Sequence, residues 1–202
     1  MPTGIALHDA RELLFDAAER VLLREGASAL TSRAVTTEAG VAKGVLHRHF
    51  TDFDGFLAEL VLDRITRLDG QSSALRDSVG TGAVADNLTD ALIGLFGPVA
   101  VAIVGLVISR DGLRARLRQA GAARLPLIGE GTSMIASYLS AERDRGRIAA
   151  DADVDVLAPT LIGAAHLLFT DREGAPSHAG AVHNVVMTVI AGVVCELPSW
   201  AP

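Results

Sequence analysis

The 202-residue sequence predicts an all-α fold, a small three-helix head followed by a larger helical domain. Three observations predict it. Apolar residues recur at helical spacing along most of the chain. Half of the residues are apolar but only 4% are aromatic, so the core must be aliphatic and alanine-rich, a composition that favours helices. Glycine and proline fall mostly at the ends of the periodic segments, where they punctuate helices rather than interrupt them.

The first helix is marked by Leu14, Ala17, Ala18, Val21 and Leu22, which repeat with the spacing of one buried stripe. Asp9 is placed to cap it, with Glu12 reaching back in a variant of the capping box, and Gly26 ends it. Between Leu30 and Phe50 the chain reads LTSRAVTTEAGVAKGVLHRHF, the most informative stretch of the sequence. Thr31 can cap a short helix by accepting from a free backbone N–H one turn ahead. Val35 and Ala39, four residues apart, share its inner face. Gly40 follows, where a left-handed, helix-ending residue costs least. Val41, Leu46 and Phe50 then line the apolar side of a second short helix, leaving Lys43, His47 and Arg48 on the other side and His49 near the edge. Two small helices joined by a tight turn make a helix-turn-helix, whose second helix fits a DNA major groove. A fourth helix opens at Asp52, with Asp54 in its first turn favoured by the helix dipole and Phe53, Phe56, Leu57, Leu60 and Ile65 directed inward.

These residues resemble the amino-terminal domain of the TetR family of bacterial transcriptional regulators. The resemblance rests on Arg11, Leu14, Ala17, Ala18 and Gly26 in the first helix, then on Thr31, Arg33, Ala39, Gly40, Val41, Gly44, Leu46, His49 and Phe50. It covers roughly residues 9 to 60; beyond that, only length and the helical pattern agree. Two positions depart from the pattern. The family usually has a tyrosine that touches the DNA backbone where His47 stands, and a lysine that donates to a phosphate where Phe53 stands. His47 can still donate a hydrogen bond, whereas Phe53 cannot replace an ammonium. More of the load would then fall on Arg48, Lys43, Arg33 and the helix termini.

Charge and composition narrow the function. The net charge of −6 argues against nucleic-acid binding by the whole surface, but residues 41–50 hold Lys43, Arg48, His47 and His49 and no acid. Lys43 is the sole lysine beside seventeen arginines. Cys195 is the sole cysteine, which excludes an internal disulfide and a cysteine metal cluster, and a reducing cytoplasm fits. The acidic and basic residues at 9–16 break any signal-like segment. Ala91–Ile108 carries no charge over eighteen residues, the lower limit for a membrane span, yet Gly94, Gly97, Pro98 and Gly105 favour two short buried helices meeting near Pro98.

Residues 69–83 (DGQSSALRDSVGTGA) read as a loop. Helices are expected at about 84–96, 98–109, 112–119, 124–146, 153–171 and 179–195, with Gly146 stopping the long one and Gly174 and Pro176 separating the last two. The last two are apolar almost all round and must be buried on several sides, for which a partner subunit is the natural second surface. In the family the corresponding pair packs against its symmetry mate. The resemblance also implies an apolar effector pocket among the middle helices, for which Leu106, Met134, Tyr138, His166 and Phe169 are candidate wall residues. Ordinary packing competes with that reading for Met134 and Tyr138, and a satisfied core histidine competes with it for His166. Arg110, Arg114, Arg116, Arg118 and Arg124 form a basic run that reads as a solvated helix face. His178 and His183, five apart, have poor metal spacing and no completing ligand.

The sequence therefore predicts a helix-turn-helix domain at 1–55 (motif about 31–50) and a helical effector-binding and dimerisation domain at 56–202. The expected function is a dimeric DNA-binding transcriptional regulator, a repressor released from its operator by a small, largely apolar effector. Its partners are double-stranded operator DNA, that effector and a second copy through the last two helices, with no membrane. The expected DNA-binding residues are Ser32, Arg33, Lys43, Gly44, Val45, His47, Arg48 and His49. No nucleophile–base pair, paired carboxylate or phosphate loop supports catalysis, and no metal or cofactor is expected. The alternative is a small-molecule-binding or partner-binding helical protein that no longer binds DNA.

Overall fold

The computed structural model describes residues 7–170 and 178–195. Helices account for most of them, and among the described residues the single β-type contact is an isolated bridge between Ile148 and Val194. The chain packs as two units, Met1–Arg64 with Pro98–Pro126 and Ile65–Gly97 with Leu127–Pro202.

In the first unit, α1 (Leu7–Glu25) buries Leu14, Ala17, Ala18, Val21 and Leu22, the stripe that the spacing predicts. The helix begins at Leu7, so Asp9, expected as its cap, falls inside the first turn, and its side chain lies outside the described ones. Gly26 ends the helix at φ +82°. The helices α2 (Ser32–Glu38) and α3 (Gly44–His49) follow, and then α4 (Phe53–Asp77). Asp52 caps α4 by accepting from the Gly55 N–H at 2.7 Å. Val35, Leu46, Phe50, Phe56, Leu57 and Leu60 complete a common core with α1. Later in the chain, α6 (Pro98–Ser109) packs on α1, and α7 (Asp111–Gln119) packs on α6.

The second unit is built from the end of α4 with α5 (Val84–Leu95), α8 (Ile128–Asp144), α9 (Val154–Thr170) and α10 (His178–Ile190). In it α5 packs on α10, α8 on α9, and α9 on α10. Gly131 lets α8 approach its neighbours closely, since a Cβ there would lie 2.5 Å from Leu95 Cδ2 and 3.2 Å from Ile162 Cδ1.

The expected loop at 69–83 is a correction. Helix α4 runs on to Asp77, and the connection shrinks to residues 78–83. Composition misled here because burial of Leu75 and a hydrogen bond from Gln71 Nε2 to the Gly94 carbonyl (3.1 Å) outweigh the weak helix propensities of Gly70, Ser72 and Ser73. Helix α8 begins at 128 rather than 124, since Pro126 and a left-handed Leu127 (φ +68°) precede it. Helix α10 ends at Ile190 rather than 195. The chain turns there, and Ala149 donates to the Val193 carbonyl (2.7 Å) while Cys195 donates to that of Arg147 (2.9 Å). The uncharged stretch divides into α5 and α6 at residues 96–97, and no single described helix is long and apolar enough to cross a membrane. The separator at Gly174 and Pro176 and the side chain of His178 lie outside the described residues.

Candidate nucleic-acid interface

The reading helix is positioned by a short chain of local decisions. Thr31 has extended backbone, and its Oγ1 accepts from the Ala34 N–H at 3.1 Å, which starts α2. Thr36 is buried and donates back to the Ser32 carbonyl (3.0 Å), satisfying its hydroxyl inside the core. Gly40 then adopts φ +67°, a conformation that L side chains rarely take, and turns the chain. The Val41 N–H returns to the Thr36 carbonyl at 3.0 Å and closes the turn. Leu46 and Phe50, four residues apart, anchor α3 to the core.

That anchoring decides which residues of α3 face outward. Lys43, Gly44, His47 and Arg48 are exposed, Val45 and His49 are half-buried, and Leu46 is fully buried. Lys43–His47 and Gly44–Arg48 are spaced four apart, so the exposed four share one face. His49 lies against the core edge instead, with its ring centre 6.4 Å from that of Phe50. On α2, Arg33 is exposed, while Ser32 is half-buried and its Oγ has no protein partner.

The cations of α1 are engaged elsewhere. Arg20 (2.8 Å) and Arg24 (2.8 Å) both donate to Glu38 at the end of α2. The hydrogen bond from Arg20, seconded by Arg24, holds the Glu38 carboxyl below the usual carboxylate range. Arg11 pairs with Glu59 and lies over the Phe50 ring, 4.9 Å from its centre. Arg33, Lys43 and Arg48 make no comparable pair among the described residues, so the outward positive charge of this surface rests on them.

Sequence reasoning placed the first turn of α4 but missed its partners. Arg110 donates to Asp54 (2.9 Å) with its guanidinium 5.4 Å from the centre of the Phe53 ring, and Arg116 donates to Asp52. Phe53 stacks on Phe56 (5.7 Å), and Phe56 meets Phe50 edge-on (4.9 Å) at the end of α3. Arg114 pairs with Asp111 on its own helix. Three of the five arginines expected on a solvated face are therefore held by acids. Pairing between residues some sixty positions apart leaves no local signature in a sequence, although an Asp-x-Asp at a helix start and a distant arginine run were the available signal.

Of the expected effector residues, Leu106 lies in the first unit and the other four in the second. Met134 and Tyr138 are buried on α8. The Tyr138 hydroxyl accepts from Asn87 Nδ2 at 3.0 Å, and burial raises the phenol well above its ordinary range. His166 and Phe169 flank Phe96, with ring centres 5.5 and 6.0 Å away. His166 Nδ1 is buried without a partner, and desolvation lowers the pKa of the imidazole.

Residues 14–60, which contain this helix-turn-helix, match the family model of bacterial regulatory proteins, tetR family. Those residues therefore form an amino-terminal domain of the tetR family. Solved structures resemble the chain over nearly its whole length. Reduced NemR from E. coli superimposes with a TM-score of 0.73 at 15% identity, covering 95% of this chain and all of that one. A tetR-family transcriptional regulator from Agrobacterium tumefaciens gives 0.72 at 11% identity, over 94% and 100%. The fatty acid degradation regulator FadR from Bacillus halodurans gives 0.68 at 14% identity, over 90% and 98%. At such identities these structures attest the fold alone. No curated protein matches the sequence. A domain of that family is a DNA-binding helix-turn-helix, and the exposed face of α3 is the part of it shaped for a groove.

Proposed function

We propose that the protein is a homodimeric repressor released from its operator by a small, largely apolar effector. The observation that carries the reading is the acid-free exposed face formed by Lys43, Gly44, His47 and Arg48 on a helix whose opposite side is anchored by Leu46 and Phe50. Lys43 and Arg48 donate to guanine edges or to phosphates. Gly44 permits close approach, since no heavy atom lies within 4 Å of where its Cβ would be, and Val45 meets a thymine methyl. Ser32 and Arg33 take phosphate beside the groove, and His47 and His49 fix the register. In functional terms residues 1–55 read DNA, and residues 56–202 bind effector and dimerise.

Dimerisation runs through α9 and α10. These helices leave Val156, Leu167 and Met187 at 58%, 69% and 48% exposure, an apolar cost that a second copy removes. A two-fold dimer then presents two reading helices to half-sites about 34–36 Å apart. The effector site draws on Met134, Tyr138, His166 and Phe169 of the second unit, where the Phe96–His166–Phe169 ring cluster offers apolar surface and one unpartnered nitrogen. The resemblance to FadR, named as a regulator of fatty acid degradation, is in keeping with an apolar effector. Release requires the effector to bind the DNA-free state better, with a coupling of about 1–3 kcal/mol.

Selection from random DNA with the purified protein, followed by an effector screen on the selected sequence, tests the reading. A recovered inverted repeat from which an apolar compound releases the protein supports it. Recovery of no sequence contradicts it.

A further inference from the structure

Seventeen of the eighteen lysine and arginine side chains are arginines, and the one amine among them is Lys43. A guanidinium keeps its proton in proteins, whereas an ammonium can give one up and become a nucleophile for acyl carbons. Acyl chemistry directed at side-chain amines therefore has one address in this sequence. It lies on the exposed face of α3.

The surroundings of that amine suit an anionic donor. Lys43 begins α3 with helical backbone (φ −48°, ψ −35°), and its side chain caps nothing. It is exposed, and so are His47 one turn on and Arg48 beside it. Residues four apart on a helix bring their Cβ atoms within about 5–6 Å, so the His47 imidazole stands within reach of the amine. Residues 41–50 hold no acid. The acids that flank the segment are already taken: Glu38 by Arg20 and Arg24, Asp52 by Arg116, and Asp54 by Arg110. The face therefore draws anions, and none of these carboxylates ties the ammonium down.

We propose that Lys43 is a site of acylation by acyl phosphates, and that the modification takes the reading face of α3 out of action. Arg48 attracts the phosphate end of the donor, and a ring nitrogen of neutral His47 accepts a proton from the Lys43 ammonium. The freed Nζ attacks the acyl carbon. A C–N bond forms, the C–O bond to the phosphate breaks, and phosphate leaves with that electron pair and the second proton. The product is a neutral amide, so the face loses one of its cations and one phosphate donor. The loss of DNA affinity rests on the reading of α3 proposed above, whereas the reactivity of the amine does not.

Acetyl phosphate is added to the full chain with Nα-acetyl-lysine amide in the same tube, and adducts are mapped by mass spectrometry. Lys43 should be acetylated at least about tenfold faster than the free amine, the low end of what a charged surface adds to an encounter rate. With p-nitrophenyl acetate, an uncharged donor, that advantage should shrink. Arg48→Ala should slow the reaction with acetyl phosphate more than that with the uncharged donor, and His47→Ala should slow both. Acetylated protein should bind a selected operator more weakly, with a log–log salt slope shallower by about 0.9. Lys43→Arg should take no side-chain adduct, and its own affinity, whatever its starting value, should be unchanged by the donor. Acetylation no faster than that of the free amine, rates unaltered in both alanine variants, or acetylated protein that binds as tightly as the unmodified chain would each overturn the proposal. A parent chain that binds no DNA before treatment would remove the DNA reading and the switch with it, and the acetylation rates would still decide the reactivity.

Discussion

The guanidinium of Arg110 lies 5.4 Å from the centre of the Phe53 ring while the same side chain donates to Asp54 at 2.9 Å. A residue at the junction of α6 and α7 thus closes over the first turn of α4, and Phe53 passes the contact through Phe56 to Phe50 at the end of the reading helix. Both partners are partly exposed, so the interaction is worth about 0.5–1 kcal/mol. A double-mutant cycle with Phe53→Leu and Arg110→Met, read by urea unfolding, should return a coupling of that size. Additive single effects would show that the two groups are merely near each other.

Replacing Gly40 by alanine should destabilise the head by about 1–2 kcal/mol. No atom lies within 4 Å of the would-be Cβ, so the cost is the left-handed backbone at φ +67° and not a clash. Asparagine, which tolerates that region better, should cost less. Equal losses for the two variants in a denaturant titration would point to sterics instead.

Thr31→Ala should cost about 1 kcal/mol, because the Ala34 N–H loses its side-chain acceptor at the start of a seven-residue helix. Serine should restore most of the stability. If alanine and threonine melt together, solvent already satisfies that N–H.

His166 gives a pH dependence with a definite sign. Burial lowers the pKa of its imidazole, so near pH 6 the unfolded chain binds the proton that the folded one resists. Its contribution to stability is therefore intact above about pH 6.5 and is lost as pH falls below that value. His166→Phe should melt at a temperature less sensitive to pH between about 5 and 7 than the parent protein. A parallel pair of curves would exclude this residue as the source.

The head was legible in the sequence because its signals are local. The Thr31 cap, the Gly40 turn and the Leu46–Phe50 spacing each act within one helical turn, and each forms as expected. The bounds of α6 were legible for the same reason, with Pro98 starting it and Ser109 ending it. The extension of α4 through Gly70 was not, because it depends on packing of Leu75 and on a glutamine reaching a carbonyl 23 residues away. The partners of Arg110 and Arg116 were not legible for the same kind of reason: Asp54 and Asp52 lie at the start of α4, far along the chain. His49, placed near the edge by the same spacing, is half-buried with its ring near that of Phe50.

If the exposed face of α3 binds DNA, Arg48 at its centre should feel the sequence of the groove. The measurement is the affinity of the purified protein and of Arg48→Ala for a selected operator, and for versions of it altered one base pair at a time, at two salt concentrations. Binding should be tight and should weaken with salt, and the variant should lose about 1–3 kcal/mol together with discrimination at one base pair. A uniform loss across sequences would reassign Arg48 to phosphate. Affinity in the variant equal to that of the parent at both salt concentrations would mean that this face of α3 does not touch DNA.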